Sequence, residues 1–382
     1  MRNSGERRLQ NFITAFCAVC FAIFSFTYVA IYKSPLIEMV YNSIATGKLQ
    51  YNGYVLSGVV TAILVGLALW LNRFAKYQRE WTAMAFLPSA LILAFFTDIE
   101  RTLFAGNGSY GSWVWIFTGG MFLYLFLAFL FGRMLFEKIK NPTVVANRIV
   151  WRNLVLLTLT FLTVGILSGD DKNFMREAIQ YKHYSNGDVG AALAVGDHSP
   201  LASQGLTAQR AFFLSLKGEL GDRLFEYPQY YGAEGLLPTV TRTTPVAPDV
   251  VYSHIGLSRA ANERATDFLA RAVCGDSVAM AAQEYYLASL LLERRLVDFA
   301  DKIYEFYNVG DSDKLPKHYK EALLLYSYIV PEYSIEFNDA ALRASFENML
   351  ADAGGASWAS MHSVRLQQKY GATYWWYFMY GE

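Results

Sequence analysis

Five uncharged, apolar stretches crowd the first 169 residues of this chain, at 9–32, 49–72, 81–97, 102–132 and 153–169. A helix needs about 20 apolar residues to cross roughly 30 Å of hydrocarbon, with about 17 as the lower bound. Each stretch therefore reads as a transmembrane helix. The third and fifth sit at the bound and draw on Trp81 and Trp151 as interfacial anchors. The fourth is longer than a bilayer requires, and the Gly106-Asn107-Gly108 turn trims its span to 113–131. Pro88 is expected to kink the third, which membrane helices tolerate.

This half has too little polar surface to face water, which excludes a single water-soluble globule. The whole chain of 382 residues is neutral, with 33 basic and 33 acidic residues, yet the charges are unevenly placed. Residues 1–169 hold 14 Lys+Arg and 6 Asp+Glu, against 19 and 27 in 170–382. An aromatic content of 16% excludes intrinsic disorder. The basic residues follow the membrane loops and form no nucleic-acid patch. Segments 1–8, 73–80 and 133–152 carry 11 Lys+Arg, and the opposite loops carry Lys33, Lys48 and Arg101 alone. The positive-inside rule then places the N-terminus in the cytoplasm and, after five crossings, residues 170–382 outside it. The first span is too long and too bulky at its end for a cleaved signal peptide and reads as an uncleaved anchor.

Cys17-Ala-Val-Cys20 has redox spacing but lies within an apolar span, where a thiolate is disfavoured, so both read as packing residues. Cys274 is the one other cysteine, so the external half cannot form an internal disulfide, as suits a bacterial periplasm.

From 170 onward the apolar period is helical, and short turns imply antiparallel hairpins stacked in order. Helices are expected at 171–185, 188–196, 202–217, 219–226, 249–256, 258–273, 277–293, 295–308, 315–330, 335–352 and 357–369. The turns Gly187-Asp188 and Gly218-Glu219 lie 31 residues apart, near the tetratricopeptide period. In 285–307, Ala288, Ala300 and Tyr304 fall at that motif's small, small, aromatic spacing, with the aromatic closing the seam. The expected fold is all-α: a five-helix transmembrane bundle (1–169), then a tetratricopeptide-like α-solenoid of about five hairpins (170–382). An irregular α-bundle is the competing arrangement for the second part.

Segment 227–248 interrupts the helices with four prolines and two glycines. Long connections of this kind are often functional loops. Tyr227, Gln229, Tyr230, Tyr231 and Arg242 are its candidate partner-binding residues; the plainer reading is an extended strap on the helical surface. The aromatic tail 370–380 is expected to cap the last hairpin, with the membrane–water boundary as the alternative.

Gly218-Glu-Leu-Gly-Asp-Arg-Leu-Phe-Glu-Tyr-Pro-Gln-Tyr-Tyr-Gly-Ala-Glu-Gly-Leu-Leu-Pro238 resembles a family of uncharacterised Bacteroidota inner-membrane proteins, and Thr373-Tyr-Trp-Trp-Tyr377 is similar to that family's ending. The resemblance implies several membrane spans followed by a tetratricopeptide-like external region. It brings no activity or site residues.

His183, His198, His254, His318 and His362 show no metal-ligand spacing, and no nucleotide-binding or hydrolase motif is present. No cofactor is expected. Asp98, Glu100 and Arg101 at the end of the third span form one charged cluster. There a carboxylate could act as base or hold a divalent ion beside a lipid-linked sugar phosphate. The plainer reading is a helix end at the water boundary. Two functions follow. The favoured one is a multi-pass inner-membrane protein displaying a periplasmic scaffold for a protein or peptide partner, in contact with membrane lipid. The alternative is a membrane enzyme of envelope glycan or lipid-linked sugar chemistry.

Overall fold

Every regular element is helical among the residues that the computed structural model of the chain describes. These are 2–44, 51–75, 79–101, 111–134, 142–169, 171–197, 202–239, 245–275, 278–334, 337–352 and 364–381. The chain divides into two compact units, Met1–Asp171 and Lys172–Glu382.

The first unit contains α1 (Arg2–Thr27), α2 (Ser34–Ile44), α3 (Gly53–Ala75), α4 (Leu87–Thr97), α5 (Gly111–Met134) and α6 (Pro142–Leu167). All five apolar stretches are helical over nearly all their described residues, and α2 lies in a connection read as a loop. Among the described residues, three segments are long and apolar enough to cross a membrane: Arg8–Tyr32, Gly53–Phe74 and Asn147–Leu167. Trp81–Thr97 is a shorter apolar helix. At most 28% of each long segment is buried, so most of its apolar side chains point outward, Ile23, Ile63 and Ile166 among them. Such a surface suits hydrocarbon.

Inside this unit, Cys17, Ala68, Ala83, Ala85, Ala90 and Ala94 are buried beside Phe21 and Phe86. Small side chains let helices approach closely where lipid gives no hydrophobic drive. The polar cross-links are Ala83 N–H donating to Asn153 Oδ1 (2.8 Å) and Ser89 Oγ donating to the Leu64 carbonyl (2.9 Å). Pro88 makes no kink within a long helix. It stands in the first turn of α4, where the 3-10 turn Arg79–Phe86 ends and a missing N–H costs nothing.

The second unit runs through α7 (Lys172–Ser185), α8 (Val189–Ala194), α9 (Gln204–Leu216), α10 (Leu220–Arg223), α11 (Pro248–Ile255) and α12 (Ala265–Ala272). It continues with α13 (Met280–Leu292), α14 (Leu296–Phe306), α15 (Lys317–Ile329), α16 (Ala340–Asp352), α17 (Val364–Tyr370) and α18 (Tyr374–Tyr380). Local chemistry sets the ends. Asp188, Ser203 and Thr373 cap α8, α9 and α18 by accepting N–H bonds from Ala191, Leu206 and Trp376. The helix expected at 258–273 begins at Ala265, because Arg259 grips the Glu263 carbonyl (2.6 and 2.9 Å) and the Glu234 carboxylate (2.7 Å) instead. The one expected at 335–352 begins at Ala340, with Asp339 accepting from Leu342 N–H (3.0 Å).

Helices α9 and α13 are buried nearly all round and form the centre of the unit. Ala288 and Ala300 are buried in the α13–α14 pair. Tyr304, expected to close that seam, is instead exposed, and its hydroxyl meets that of Tyr333 (2.7 Å). Leu296, Phe299, Ala300 and Ile303 are the residues of α14 turned inward.

Contacts also join distant elements. Lys317 N–H at the start of α15 donates to Asp222 in α10 (2.7 Å), and Phe225 N–H donates to His318 Nε2 (3.4 Å). The aromatic tail packs into the same core: Tyr374 and Trp375 are fully buried, and the Trp375 indole donates to the Glu321 carbonyl (2.8 Å). His318 Nδ1 lies 2.8 Å from Glu321 Oε2, which also accepts from Tyr374 N–H (2.7 Å). With Nε2 accepting from Phe225, Nδ1 is the nitrogen that donates to Glu321.

Candidate functional site

In the first unit, polar side chains gather where α1, α4 and α6 end and α5 begins. Helix α1 passes into a π-helical turn, Tyr28–Tyr32, a geometry frequent at functional sites. Lys33 follows it, 1% exposed, and its ammonium donates to the Ser168 and Gly169 carbonyls (2.9 Å each) beyond the end of α6. A cation at this position complements the helix dipole. Asp98 is also buried and accepts from the Trp113 indole (2.6 Å), while Tyr28 hydrogen-bonds Ser168. Gly169 has φ +55°, and a Cβ there would lie 2.6 Å from Asp98 Oδ1. Of the three residues singled out in this region, Asp98 joins the buried cluster. Glu100 is exposed, and Arg101 lies 4.0 Å from Asp171. The Lys33 ammonium and the Asp98 carboxylate thus both bind groups at helix ends.

In the second unit, segment 227–248 is largely a packed strap over its described residues, 227–239 and 245–248. Ala233, Leu236, Leu237 and Val246 are buried, and the Tyr252 hydroxyl donates to the Pro238 carbonyl (2.9 Å). Tyr227 and Gln229, read as exposed recognition residues, are buried at 5% and 8% exposure. Tyr227 turns inward because its hydroxyl reaches the Leu193 carbonyl (3.4 Å) and its ring receives the Arg210 guanidinium (4.8 Å). Gln229 turns inward because its amide donates to the Leu224 and Tyr227 carbonyls (2.9 and 3.3 Å). Tyr230 and Tyr231 remain on the surface, and Arg242 lies outside the described residues.

Tyr227 also lines a cleft of about 230 Å³, together with Gly190, Leu193, Ala194, Asp197, Arg223 and Glu226. Arg223 is pinned by Glu226 (2.8 Å), Glu219 (2.9 Å) and the Tyr227 hydroxyl (3.3 Å). Behind the cleft lies Arg210, 2% exposed, its Nη2 donating to the carbonyls of Val195 (3.2 Å) and Gly196 (2.6 Å) at the end of α8. Its Nε and Nη1 have no partner. Burial pushes this guanidinium down to about 10; Arg176 adds to the effect, while Tyr227 and Asp197 oppose it.

Gln180 of α7 and Gln209 of α9 are equally buried, and neither amide has a partner. They share a seam, because Glu177 meets Ser203 and the Gly205 backbone below them and Tyr184 meets Phe212 and Phe213 above. One sequence signal marked this place. Arg210 is the single charge in α9, and a charge inside a buried helix needs compensation.

A second polar group joins three helices. Ser215 Oγ of α9 lies 3.0 Å from His254 Nε2 of α11, and Glu284 of α13 is close by. Burial raises the Glu284 carboxyl to about 7; the Ser215 hydroxyl opposes that rise and Asp222 adds to it. Burial also lowers His254. Among the described residues no group of three His, Cys, Asp or Glu is placed to hold a metal ion.

One family model matches the chain, over residues 6–281 and 273–381, and is described as a family of unknown function (DUF6057). No curated protein and no solved structure matches it.

Proposed function

The chain belongs to the DUF6057 family of unknown function, and from that premise we propose a multi-pass inner-membrane protein that displays a helical scaffold in the periplasm. The scaffold binds a protein or peptide partner. Five spans anchor it, with the N-terminus in the cytoplasm, as the loop charges favour. Its hairpins stack in a tetratricopeptide-like manner at α13–α14, and the α10–α15 contacts close the array on itself.

The observation that carries this reading is the change of surface at the unit boundary. Before it, long helices present apolar side chains outward. After it, helices bury their apolar faces in one shared core. A second compact unit of 211 residues (172–382) exceeds what anchoring requires. Its exposed Tyr230 and Tyr231 supply the residue type enriched at binding hot spots.

Crosslinking the intact protein in its native envelope tests the proposal. Specific envelope proteins should be captured through residues 172–382, and capture should fall in the Tyr230→Ser, Tyr231→Ser variant while its melting temperature holds. Unchanged capture in that variant, or capture through cytoplasmic loops alone, would overturn the reading.

A further inference from the structure

Two glutamines lie at one level of the seam between α7 and α9. Gln180 is 0% exposed and Gln209 2%, and both oxygens and both nitrogens of their amides lack a hydrogen-bond partner among the described residues. Helix residues three, four and seven apart share a face, so Glu177, Gln180 and Tyr184 line one face of α7, and Gly205, Gln209 and Phe212 one face of α9. These faces pack together on either side of the glutamines. A Cβ on Gly205 would lie 2.8 Å from both Glu177 carboxylate oxygens, and the Tyr184 ring stands 5.8 Å from that of Phe212. Residue 177 thus meets 205 and residue 184 meets 212. The helices run parallel in constant register, which sets position 180 opposite 208–209.

A buried amide left without bonds is costly, and buried polar atoms are bonded to protein or to ordered water. The polar groups flanking this pair are engaged elsewhere: Glu177 accepts from the Ser203 hydroxyl, and Arg210 Nη2 donates to the Val195 and Gly196 carbonyls. We propose that Gln180 and Gln209 together bind an ordered water molecule that bridges α7 to α9. The donor and acceptor inventory selects this ligand. Each amide offers an oxygen that accepts and an NH2 group that donates. A cation would be held by the two oxygens and leave both NH2 groups unpaired; an anion would do the reverse. Water donates twice and accepts twice, which matches two oxygens and two NH2 groups one for one, within the two to four bonds that buried water makes. The bridge falls where the seam passes from the Glu177–Ser203 hydrogen bond to the Tyr184–Phe212 ring contact, and it is independent of what the scaffold binds.

A crystal structure of the intact chain tests the site directly: one density peak should stand about 2.7–3.2 Å from both side-chain amides. Variants test the energetics, because methionine keeps the length of glutamine and removes both polar atoms. Gln180→Met or Gln209→Met alone strands the other amide and should lower the melting temperature of the intact chain in detergent micelles by about 2–10 °C. The double variant removes every group that holds the water, so its loss should be smaller than the two single losses added together. The crystal structure needs no variant and decides even where a variant fails to fold. No peak beside well-ordered glutamines, amides bonded directly to each other, single variants that melt with the wild type, or losses that add in the double variant would each overturn the proposal.

Discussion

Replacing Glu284 by Gln should stabilise the second unit above neutral pH. The carboxyl is 4% exposed, and burial raises it from 4.5 to about 7. The folded state therefore holds a proton that the unfolded chain releases, so stability falls as pH rises from 4.5 through 7 and stays reduced above that. At about 1.4 kcal/mol for each pH unit between the two values, the full cost is about 3 kcal/mol, and some contact with solvent brings it to about 2–3 kcal/mol. Glutamine keeps the shape and removes the charge. His254 works in the opposite direction, because its lowered value destabilises the fold as pH falls, but it is common to both proteins and cancels in their difference. The measurement is urea denaturation of the intact chain in micelles from pH 5 to 9, followed by protease protection of residues 280–292. The variant should exceed the wild type by about 2–3 kcal/mol at pH 8.5, and the gap should narrow as pH falls toward the ordinary carboxyl value. A gap that does not vary with pH, or a variant weaker than the wild type at pH 8.5, would refute the reasoning.

Reporter fusions after Lys140 should be active in the cytoplasm alone and fusions after Asp170 outside it alone; a cytoplasmic signal from a fusion at Gly310 would reverse the topology. Trp375→Ala should cost about 3–5 kcal/mol in a denaturation assay, because the indole is fully buried and bonded to Glu321, whereas half-buried Trp376 should tolerate truncation better. Ala300→Leu should cost about 1–3 kcal/mol by overpacking α13 against α14, and an unchanged melting temperature would mean the seam has room. Lys33→Met should lower the thermal stability of the first unit by about 1–3 kcal/mol, since two carbonyls near the end of α6 lose their donor.

Apolar length and helical period are properties of consecutive residues, and whatever depends on them was legible before any fold was known. All five apolar stretches are helical over nearly all their described residues, strands are absent among the described residues, and most helix ends in the second unit fall within a few residues of their expected places. Capping is equally local, as Asp188 and Ser203 show. Which polar side chains turn inward was settled by folding alone. Lys33 read as a loop charge, yet carbonyls 135 and 136 residues away bury it. Tyr227 read as an exposed recognition residue, yet the carbonyl of Leu193 and the guanidinium of Arg210 draw it into the core. Tyr304 matched a repeat motif in spacing, but the unit's own packing left it on the surface beside Tyr333. In each case the deciding partner lies 17 or more residues away along the chain. A buried polar group is settled by the donor or acceptor that meets it, and only the folded chain brings that partner within hydrogen-bonding distance.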